Sequence, residues 1–202
     1  MIKNFIFDFG NVLFEFDPSK MVIPYVTDPS KREEVAAAVG SREYWKELDM
    51  GTMRDAEVIE ALKKRFEGEL AEQAVLSFAN WRDNAAEIPG TRALIGRLRE
   101  RGARIFLLSN ISIDFALHYP ETPRIASLLD TFDGLVFSGP IHMVKPNADI
   151  YMHLLNKYSL QPEECLFTDD LAMNTEGAEA CGIHGHVFTG ADELTSYIDT
   201  LS

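Results

Sequence analysis

The sequence predicts an α/β protein built on a parallel sheet, with a helical segment inserted after the first strand. From Thr91 onward, short apolar segments alternate with amphipathic helical ones, a pattern typical of a parallel sheet covered by helices. Between about residues 18 and 88 the patterns are helical, and no stretch is a convincing strand. The predicted core domain therefore comprises residues 1–17 and 89–202, and the predicted insert comprises residues 18–88.

The first predicted strand, Phe5–Phe7, is short, apolar and rich in β-forming residues, as expected for a strand buried on both faces. Asp8 follows it directly, and Gly10 and Asn11 predict a turn. Ligands of open α/β sheets bind outside the carboxyl ends of the strands, so Asp8 suits a nucleophile or a metal ligand. Taken alone, Asp8 fits a helix N-cap or a turn residue better.

Three helices are predicted in the insert. Ser30–Glu33 has the spacing of a capping box, and Gly40 is the predicted end of that helix. A second helix begins at Thr52–Asp55. Its apolar face consists of Val58, Ile59, Leu62 and Phe66. A third helix is predicted over Leu70–Asn84.

The remaining core elements follow the same alternation. The later strands are predicted at 104–108, 134–138, 164–168 and 184–188, and the helices at 91–101, 147–158, 175–181 and 191–201. Polar residues stand where two of these strands end, namely Ser109–Asn110 and Asp169–Asp170, and Lys145 follows a third. The alternatives to a role in a binding site are that Ser109 caps a helix and that Lys145 is a solvated surface lysine. Two adjacent carboxylates at a sheet edge, however, need a cation or N–H donors to compensate them.

Composition limits the function classes. The chain has 19 basic and 32 acidic residues and a net charge of −13, which argues against nucleic-acid binding by phosphate neutralisation. An anionic substrate would have to be attracted locally. The two cysteines, Cys165 and Cys181, have no metal-site spacing, there is no signal-peptide layout, and no apolar run reaches membrane-spanning length. We therefore expect a soluble cytoplasmic protein with no membrane partner.

In four motifs the sequence resembles the haloacid dehalogenase superfamily of Asp-nucleophile phosphatases. The motifs are, in order, Asp-Phe-Gly-Asn-Val from Asp8, Leu-Ser-Asn around Ser109, Lys-Pro-Asn-Ala-Asp-Ile-Tyr from Lys145, and Asp-Asp-Leu-Ala-Met-Asn-Thr-Glu-Gly-Ala from Asp169. The resemblance covers the whole chain. It implies a Rossmann-like parallel sheet with an inserted α-helical cap. It is closest to the branch of sugar-phosphate phosphatases such as bacterial α-D-glucose-1-phosphate phosphatase, which includes the phosphatase domain of mammalian soluble epoxide hydrolase.

The resemblance implies a Mg²⁺-dependent phosphatase that acts on a small phosphorylated metabolite, a sugar phosphate, through an aspartyl-phosphate on Asp8. The implied Mg²⁺ ligands are Asp8, the Gly10 carbonyl and Asp170, with Asp169 and Asn174 supporting them. The implied phosphate-binding groups are Ser109, Lys145 and the backbone N–H groups of Phe9, Gly10 and Asn110. Lys145 would also neutralise charge at the nucleophile. A monomer or a dimer is expected.

One departure from the family pattern concerns Gly10, because the phosphatases usually carry a second Asp there as general acid. A general acid typically contributes about 10²–10⁴-fold in rate. Three interpretations stay open: an activated leaving group, another acid such as Glu15, Asp17 or a residue of the cap, or a slow or non-catalytic phospho-ligand binder. A metal-independent 2-haloacid dehalogenase is a further alternative, although it would leave Asp169–Asp170 without a purpose.

The predicted cap is expected to set specificity. The stretch Leu48–Thr52 resembles the loop before a cap helix, with Gly51 permitting a tight turn. Tyr44, Trp45 and Trp81 are candidates for lining a substrate cleft, and a place in the core of the helical insert is the alternative for them.

Overall fold

A computed structural model describes residues 1–201 of the chain. Its centre is a sheet of five parallel strands in the order β3-β2-β1-β4-β5. The strands are β1 (Asn4–Phe7), β2 (Arg104–Ser109), β3 (Gly134–Phe137), β4 (Cys165–Asp169) and β5 (His184–Val187). The predicted α/β class with a parallel sheet is confirmed.

Strand β1 lies in the middle of the sheet, and all four of its residues are buried. Its last residue, Phe7, pairs with Leu107 of β2 on one side and with Thr168 of β4 on the other. The Asp8 amide continues the ladder by donating to the Thr168 carbonyl at 3.0 Å. The carboxyl ends of the three central strands therefore meet beside Asp8.

Helices surround the sheet and form the insert. They are α1 (Pro18–Met21), α2 (Arg32–Val39), α3 (Arg42–Asp49), α4 (Asp55–Arg65), α5 (Gly68–Ala79), α6 (Trp81–Asn84), α7 (Thr91–Glu100), α8 (Ile113–His118), α9 (Pro123–Leu129), α10 (Ser138–Ile141), α11 (Ala148–Tyr158), α12 (Ala172–Glu179) and α13 (Ala191–Thr200). No helix within residues 1–201 combines the length and the apolar character needed to cross a bilayer.

Alternation along the strands divides the core into two layers of helices. Phe5 and Phe7 point to the cluster formed with α7, α8, α9 and α13, whereas Ile6 points to the cluster formed with α11 and α12. Since residues i and i+2 of a strand face the same side, the apolar run of β1 serves both faces.

The helical insert has an apolar cluster of its own. Its fully buried members include Val35, Leu48, Val58 and Leu62. The two segments that connect the insert to the core lie side by side. The Glu15 amide donates to the Ala86 carbonyl, and the Ile88 amide donates to the Leu13 carbonyl, both at 2.8 Å. The division into two domains at residues 18 and 88 stays a prediction.

Two local predictions in the insert differ from the structure. Ser30 does not cap a helix; it lies in a 3₁₀ turn whose N-cap is Asp28, which accepts the Ser30 amide at 2.9 Å, and α2 begins only at Arg32. Asp at the cap with Pro29 after it is a stronger start signal than Ser. The helix predicted over Leu70–Asn84 is broken at Asn80, whose backbone leaves the helical region.

Helix α3 was not predicted. The family resemblance implied a loop over Leu48–Thr52, but the helix continues through Asp49 and the turn follows at Gly51, where φ is +69°. Its apolar residues, Tyr44, Trp45 and Leu48, have helical spacing, but a mostly polar helix of eight residues gives only this short run.

Candidate active site

A cleft of about 270 Å³ opens where the central strands end and the helical insert begins. Eight of the nine predicted site residues line it: Asp8, Phe9, Gly10, Ser109, Asn110, Lys145, Asp170 and Asn174. The ninth, Asp169, is fully buried and contacts Lys145 and Asn174. The structure thus brings all nine together, while the role of each stays a prediction.

Lys145 connects the two strand ends. Its ammonium lies 2.8 Å from Asp8 Oδ1 and 2.6 Å from Asp169 Oδ2, and its side chain is 1% exposed. The side chain of Asn110 holds the Lys145 backbone from both sides, since Nδ2 donates to the Lys145 carbonyl at 3.0 Å and Oδ1 accepts its amide at 2.8 Å. The sequence analysis considered only the Asn110 amide, so this positioning contact was missed.

Asp169 is satisfied by protein groups on both oxygens. It accepts from Lys145, from the Leu171 amide at 2.9 Å and from Asn174 Nδ2 at 2.9 and 3.0 Å. The side chain of Asn174 therefore contacts Asp169 and not Asp170.

Asp170 is half-buried and faces the cleft. Its Oδ2 accepts from Asn11 Nδ2 at 3.2 Å, and Asn11 adopts a left-handed conformation with φ +55° while its Oδ1 accepts the Phe16 amide. Asn11, read from the sequence only as a turn residue, thus links the loop after β1 to the acidic pair after β4.

The acidic cluster suits a divalent cation. One oxygen of each of Asp8, Asp169 and Asp170 lies within 4.8 Å of the others, and these three negative charges face the single positive charge of Lys145. Burial raises the pKa of Asp8 to about 6, with Lys145 opposing and Asp169 adding to the shift, and burial also raises the pKa of Asp170. A net charge of −2 in a desolvated, all-oxygen cluster fits Mg²⁺.

Ser109 is buried at the end of β2. Within residues 1–201 its hydroxyl makes one long hydrogen bond, 3.5 Å to the Asn110 carbonyl. The hydroxyl therefore remains able to bind an oxygen of a ligand in the cleft.

The helical insert contributes one acid and two indoles to the cleft. Asp49 ends α3 and lines the cleft together with Trp45 and Trp81, whereas Tyr44 packs in the cluster of the insert. Burial raises the pKa of Asp49 to about 7, the charge of Asp8 adds to the shift and Lys145 opposes it. From the sequence, an acid of the cap was one of the interpretations left open for the missing acid at Gly10, but Asp49 was not singled out as that residue.

The fold and the cleft define an α/β protein whose polar site residues gather at the carboxyl edge of a parallel sheet. A family model described as a haloacid dehalogenase-like hydrolase matches residues 2–182, and the chain belongs to this family. The closer likeness to the sugar-phosphate phosphatase branch stays a prediction.

Several curated proteins are similar to this chain. A drimenol cyclase of Aspergillus calidoustus is 26% identical over 96% of this chain, which spans only 35% of the cyclase. A sesquiterpene phosphatase of Aspergillus oryzae is 24% identical over 91% of this chain and 88% of that protein. A D-ribitol-5-phosphate phosphatase of Bacteroides thetaiotaomicron is 28% identical over 86% of this chain and 85% of that protein.

Solved structures of the family share the fold. A family enzyme of Bacteroides thetaiotaomicron, in complex with magnesium and inorganic phosphate, matches with a TM-score of 0.68 and 18% identity over 94% of this chain and 96% of that one. An L-2-haloacid dehalogenase of Xanthobacter autotrophicus matches with a TM-score of 0.68 and 21% identity over 92% of this chain and 76% of that one. At these identities the likeness shows the fold alone.

Proposed function

We propose that this protein is a Mg²⁺-dependent phosphatase that hydrolyses a small phosphorylated metabolite, a sugar phosphate, through an aspartyl-phosphate on Asp8. The observation that carries the proposal is the cluster of Asp8, Asp169 and Asp170, with the Lys145 ammonium between the first two. The similarity to a phosphatase of D-ribitol 5-phosphate and to one of sesquiterpenes supports a phosphate ester as the substrate.

In the proposed reaction, an Asp8 oxygen attacks phosphorus, and water later hydrolyses the acyl phosphate. Asp8, the Gly10 carbonyl and Asp170 would hold Mg²⁺, which when bound supplies charge that offsets the repulsion between the phosphate dianion and the carboxylate. Lys145 keeps one Asp8 oxygen in a fixed position and balances part of the cluster's charge.

The phosphoryl oxygens would be held by donors around the mouth of the sheet. These donors are the Ser109 hydroxyl, the Lys145 ammonium and the backbone N–H groups of Phe9, Gly10 and Asn110, and all five residues line the cleft. Such preorganised donors stabilise charge that develops during transfer.

The insert of residues 18–88 would act as the cap over this site. It supplies Asp49 and Trp45 to the wall of the cleft. A cap in this position excludes water and surrounds the leaving group.

The test compares the wild-type protein with Asp8→Asn on p-nitrophenyl phosphate and on a panel of sugar phosphates. With Mg²⁺ present, we expect the substitution to lower kcat by at least about 10³-fold, because the nucleophile is lost. EDTA should abolish wild-type turnover and added Mg²⁺ should restore it. Asp192→Asn, at an exposed carboxylate of α13, is the matched control and should keep full activity.

Activity that survives in Asp8→Asn, or that does not respond to EDTA, would contradict the proposal. Two other outcomes would favour the alternatives. Asp8-dependent halide release from 2-chloropropionate in EDTA would indicate a dehalogenase. Thermal stabilisation by phosphate without turnover would indicate a binder.

A further inference from the structure

The leaving group of a phosphate monoester poses a problem that the core residues do not solve. An alkoxide leaves poorly unless it is protonated, and position 10, two residues after Asp8, is a glycine and supplies no acid. Glu15 and Asp17 line a separate cavity and already have partners. Glu15 forms an ion pair with Lys20 at 2.8 Å, and Asp17 accepts the Ser19 amide as the N-cap of α1.

Asp49 is the one carboxylic acid that the insert places in the cleft. The carboxyl groups lining the cleft within residues 1–201 are those of Asp8, Asp49 and Asp170. Asp8 and Asp170 have hydrogen-bond partners, whereas the Asp49 side chain makes no hydrogen bond or ion pair with any residue of the described chain. It is half-buried beside the rings of Trp45 and Trp81, which offer it no acceptor.

Asp49 also marks the boundary between two spaces. On one side is the cleft with Asp8; on the other is a second cavity that Asp49 borders together with Arg42 and Lys46. Lys145 and Asn110 line both. In an in-line displacement the ester oxygen leaves on the side of phosphorus opposite Asp8, and Asp49 is the acid that the insert contributes to the wall of this cleft.

The backbone around Asp49 is fixed to the core. The Asp49 carbonyl accepts the Ser138 hydroxyl at 2.7 Å, and the Met50 carbonyl lies 3.0 Å from His142 Nδ1. Ser138 is fully buried at the start of α10. These contacts set the position of the Asp49 carboxyl relative to the strand ends.

The protonation state of Asp49 supports a role as a proton donor. The ionisable groups around it are Asp8, Asp170 and Lys145 from the core and Arg42 and Lys46 from α3. The pKa of Asp49 is raised to about 7, mainly by burial. The charge of Asp8 also raises this pKa, whereas the charge of Lys145 lowers it. A carboxyl with such a pKa is partly protonated near neutral pH, as a general acid requires.

We propose that Asp49 donates the proton to the leaving oxygen and so replaces the acid missing at Gly10. This inference rests on the proposed phosphatase function. In the first step the bond from Asp8 to phosphorus forms and the bond from phosphorus to the ester oxygen breaks; that oxygen takes the Asp49 proton and departs as an alcohol. In the second step water attacks phosphorus and gives a proton to the Asp49 carboxylate, and the bond from phosphorus to Asp8 breaks to release phosphate.

The test is the dependence of Asp49→Asn on the leaving group. p-Nitrophenolate is a stable anion that departs without protonation, whereas the alcohol of an alkyl or sugar phosphate needs a proton. We therefore expect kcat to fall by about 10²–10⁴-fold on alkyl and sugar phosphates and by less than about threefold on p-nitrophenyl phosphate. Glu43→Gln, at an exposed acid on the same helix, should change neither rate.

The outcomes separate the two proposals. An equal loss on both substrate types would show a structural or binding role for Asp49 and overturn the inference, as would an unchanged rate on alkyl phosphates. In either case Asp8-dependent hydrolysis by the wild type would leave the phosphatase proposal intact. If the wild type hydrolyses no phosphate ester, both proposals fail. The circular dichroism spectrum of Asp49→Asn should match that of the wild type, and thermal unfolding should show no loss of stability, because the substitution removes no hydrogen bond of the side chain and replaces a carboxylate that burial disfavours.

Discussion

Lys145 is the residue on which the charge balance of the cleft depends. Burial alone lowers the pKa of Lys145, but the charges of Asp8 and Asp169 together outweigh it, so that the pKa lies above its usual value. The ammonium therefore stays charged, and its attraction to the two carboxylates offsets part of their desolvation.

We expect Lys145→Met to destabilise the protein by about 3–5 kcal/mol at pH 8 without Mg²⁺, because it leaves two carboxylates in the strand-end cluster without their cation. The loss should be smaller at pH 5. The pKa of Asp8 is already raised to about 6 in the folded wild type, so protonation at low pH relieves the unpaired charge.

Urea unfolding at the two pH values measures this difference. Lys46→Met, at an exposed lysine of α3 with no ion pair among the described residues, is the control and should change stability little at either pH. A destabilisation of Lys145→Met that is equal at pH 5 and pH 8 would contradict the explanation.

At the scale of single residues, position at a strand end made the core residues predictable. Asp8, Ser109 and Asp169 each follow or end an apolar run, and the carboxyl ends of parallel strands share one edge. Asp49 was not predictable in this way. It belongs to a short, mostly polar helix, and no local pattern states which face of the insert meets the sheet.

The contact between α3 and α10 depends on Gly51, whose backbone approaches that of Gly139 closely. Gly51 has φ +69°, and a Cβ at this position would overlap the Gly139 carbonyl oxygen and lie 2.9 Å from His142 Nδ1. Gly139 is also closely packed on another side, where a Cβ would lie 2.7 Å from the Ile113 amide nitrogen at the start of α8. Only glycine allows this approach. The same approach brings the Asp49 carbonyl within hydrogen-bond distance of the Ser138 hydroxyl.

We expect Gly51→Ala to destabilise the protein by about 2–4 kcal/mol, because backbone strain and steric overlap add. Gly68→Ala is the matched control: φ is +55° there, but no atom lies within 4 Å of the added Cβ, so only strain of about 1 kcal/mol is expected. Urea unfolding tests both variants. Equal losses for the two would show that the contact with Gly139 contributes nothing.

At the scale of elements, the long apolar strands were found and the short helices were missed. Helices α8 and α9 have six and seven residues, too few to establish a periodic pattern. Tertiary packing of buried side chains such as Phe115, Ile125 and Leu128 stabilises them instead. Their start signals were nonetheless present. Ser112 is the N-cap of α8, where its hydroxyl accepts the Phe115 amide, and Pro123 is the first residue of α9.

The helical insert is attached to the core by a charged contact on the side of α8. Arg54 donates to both oxygens of Asp114, at 2.9 and 2.6 Å, and the Asp55 amide donates to Oδ2 at 2.9 Å. The hydrogen bonds from Arg54 are the main cause that lowers the pKa of Asp114. The contact thus joins residues 60 positions apart and restrains the insert over the cleft.

Asp114→Asn should lower the stability of the protein at neutral pH. The difference in stability between the variant and the wild type should become smaller as the pH is lowered. A lowered pKa contributes stability that is present above the usual value near 3.9 and is lost as the pH falls through the folded-state value. Thermal unfolding at pH 7 and about pH 3 measures the effect. Glu72→Gln, an exposed acid of α5, should show no such convergence. A gap that is the same at both pH values would refute the role of the ionised Asp114.

The two chain segments that join the insert to the sheet lie against each other, with Phe14 bridged to Glu87. An insertion whose two ends are neighbours can be lengthened, shortened or exchanged during evolution without displacing a strand. Under the proposed phosphatase function, changes in the inserted helices would adapt the protein to phosphate esters of other alcohols, while Asp8 and its acidic neighbours are inherited intact.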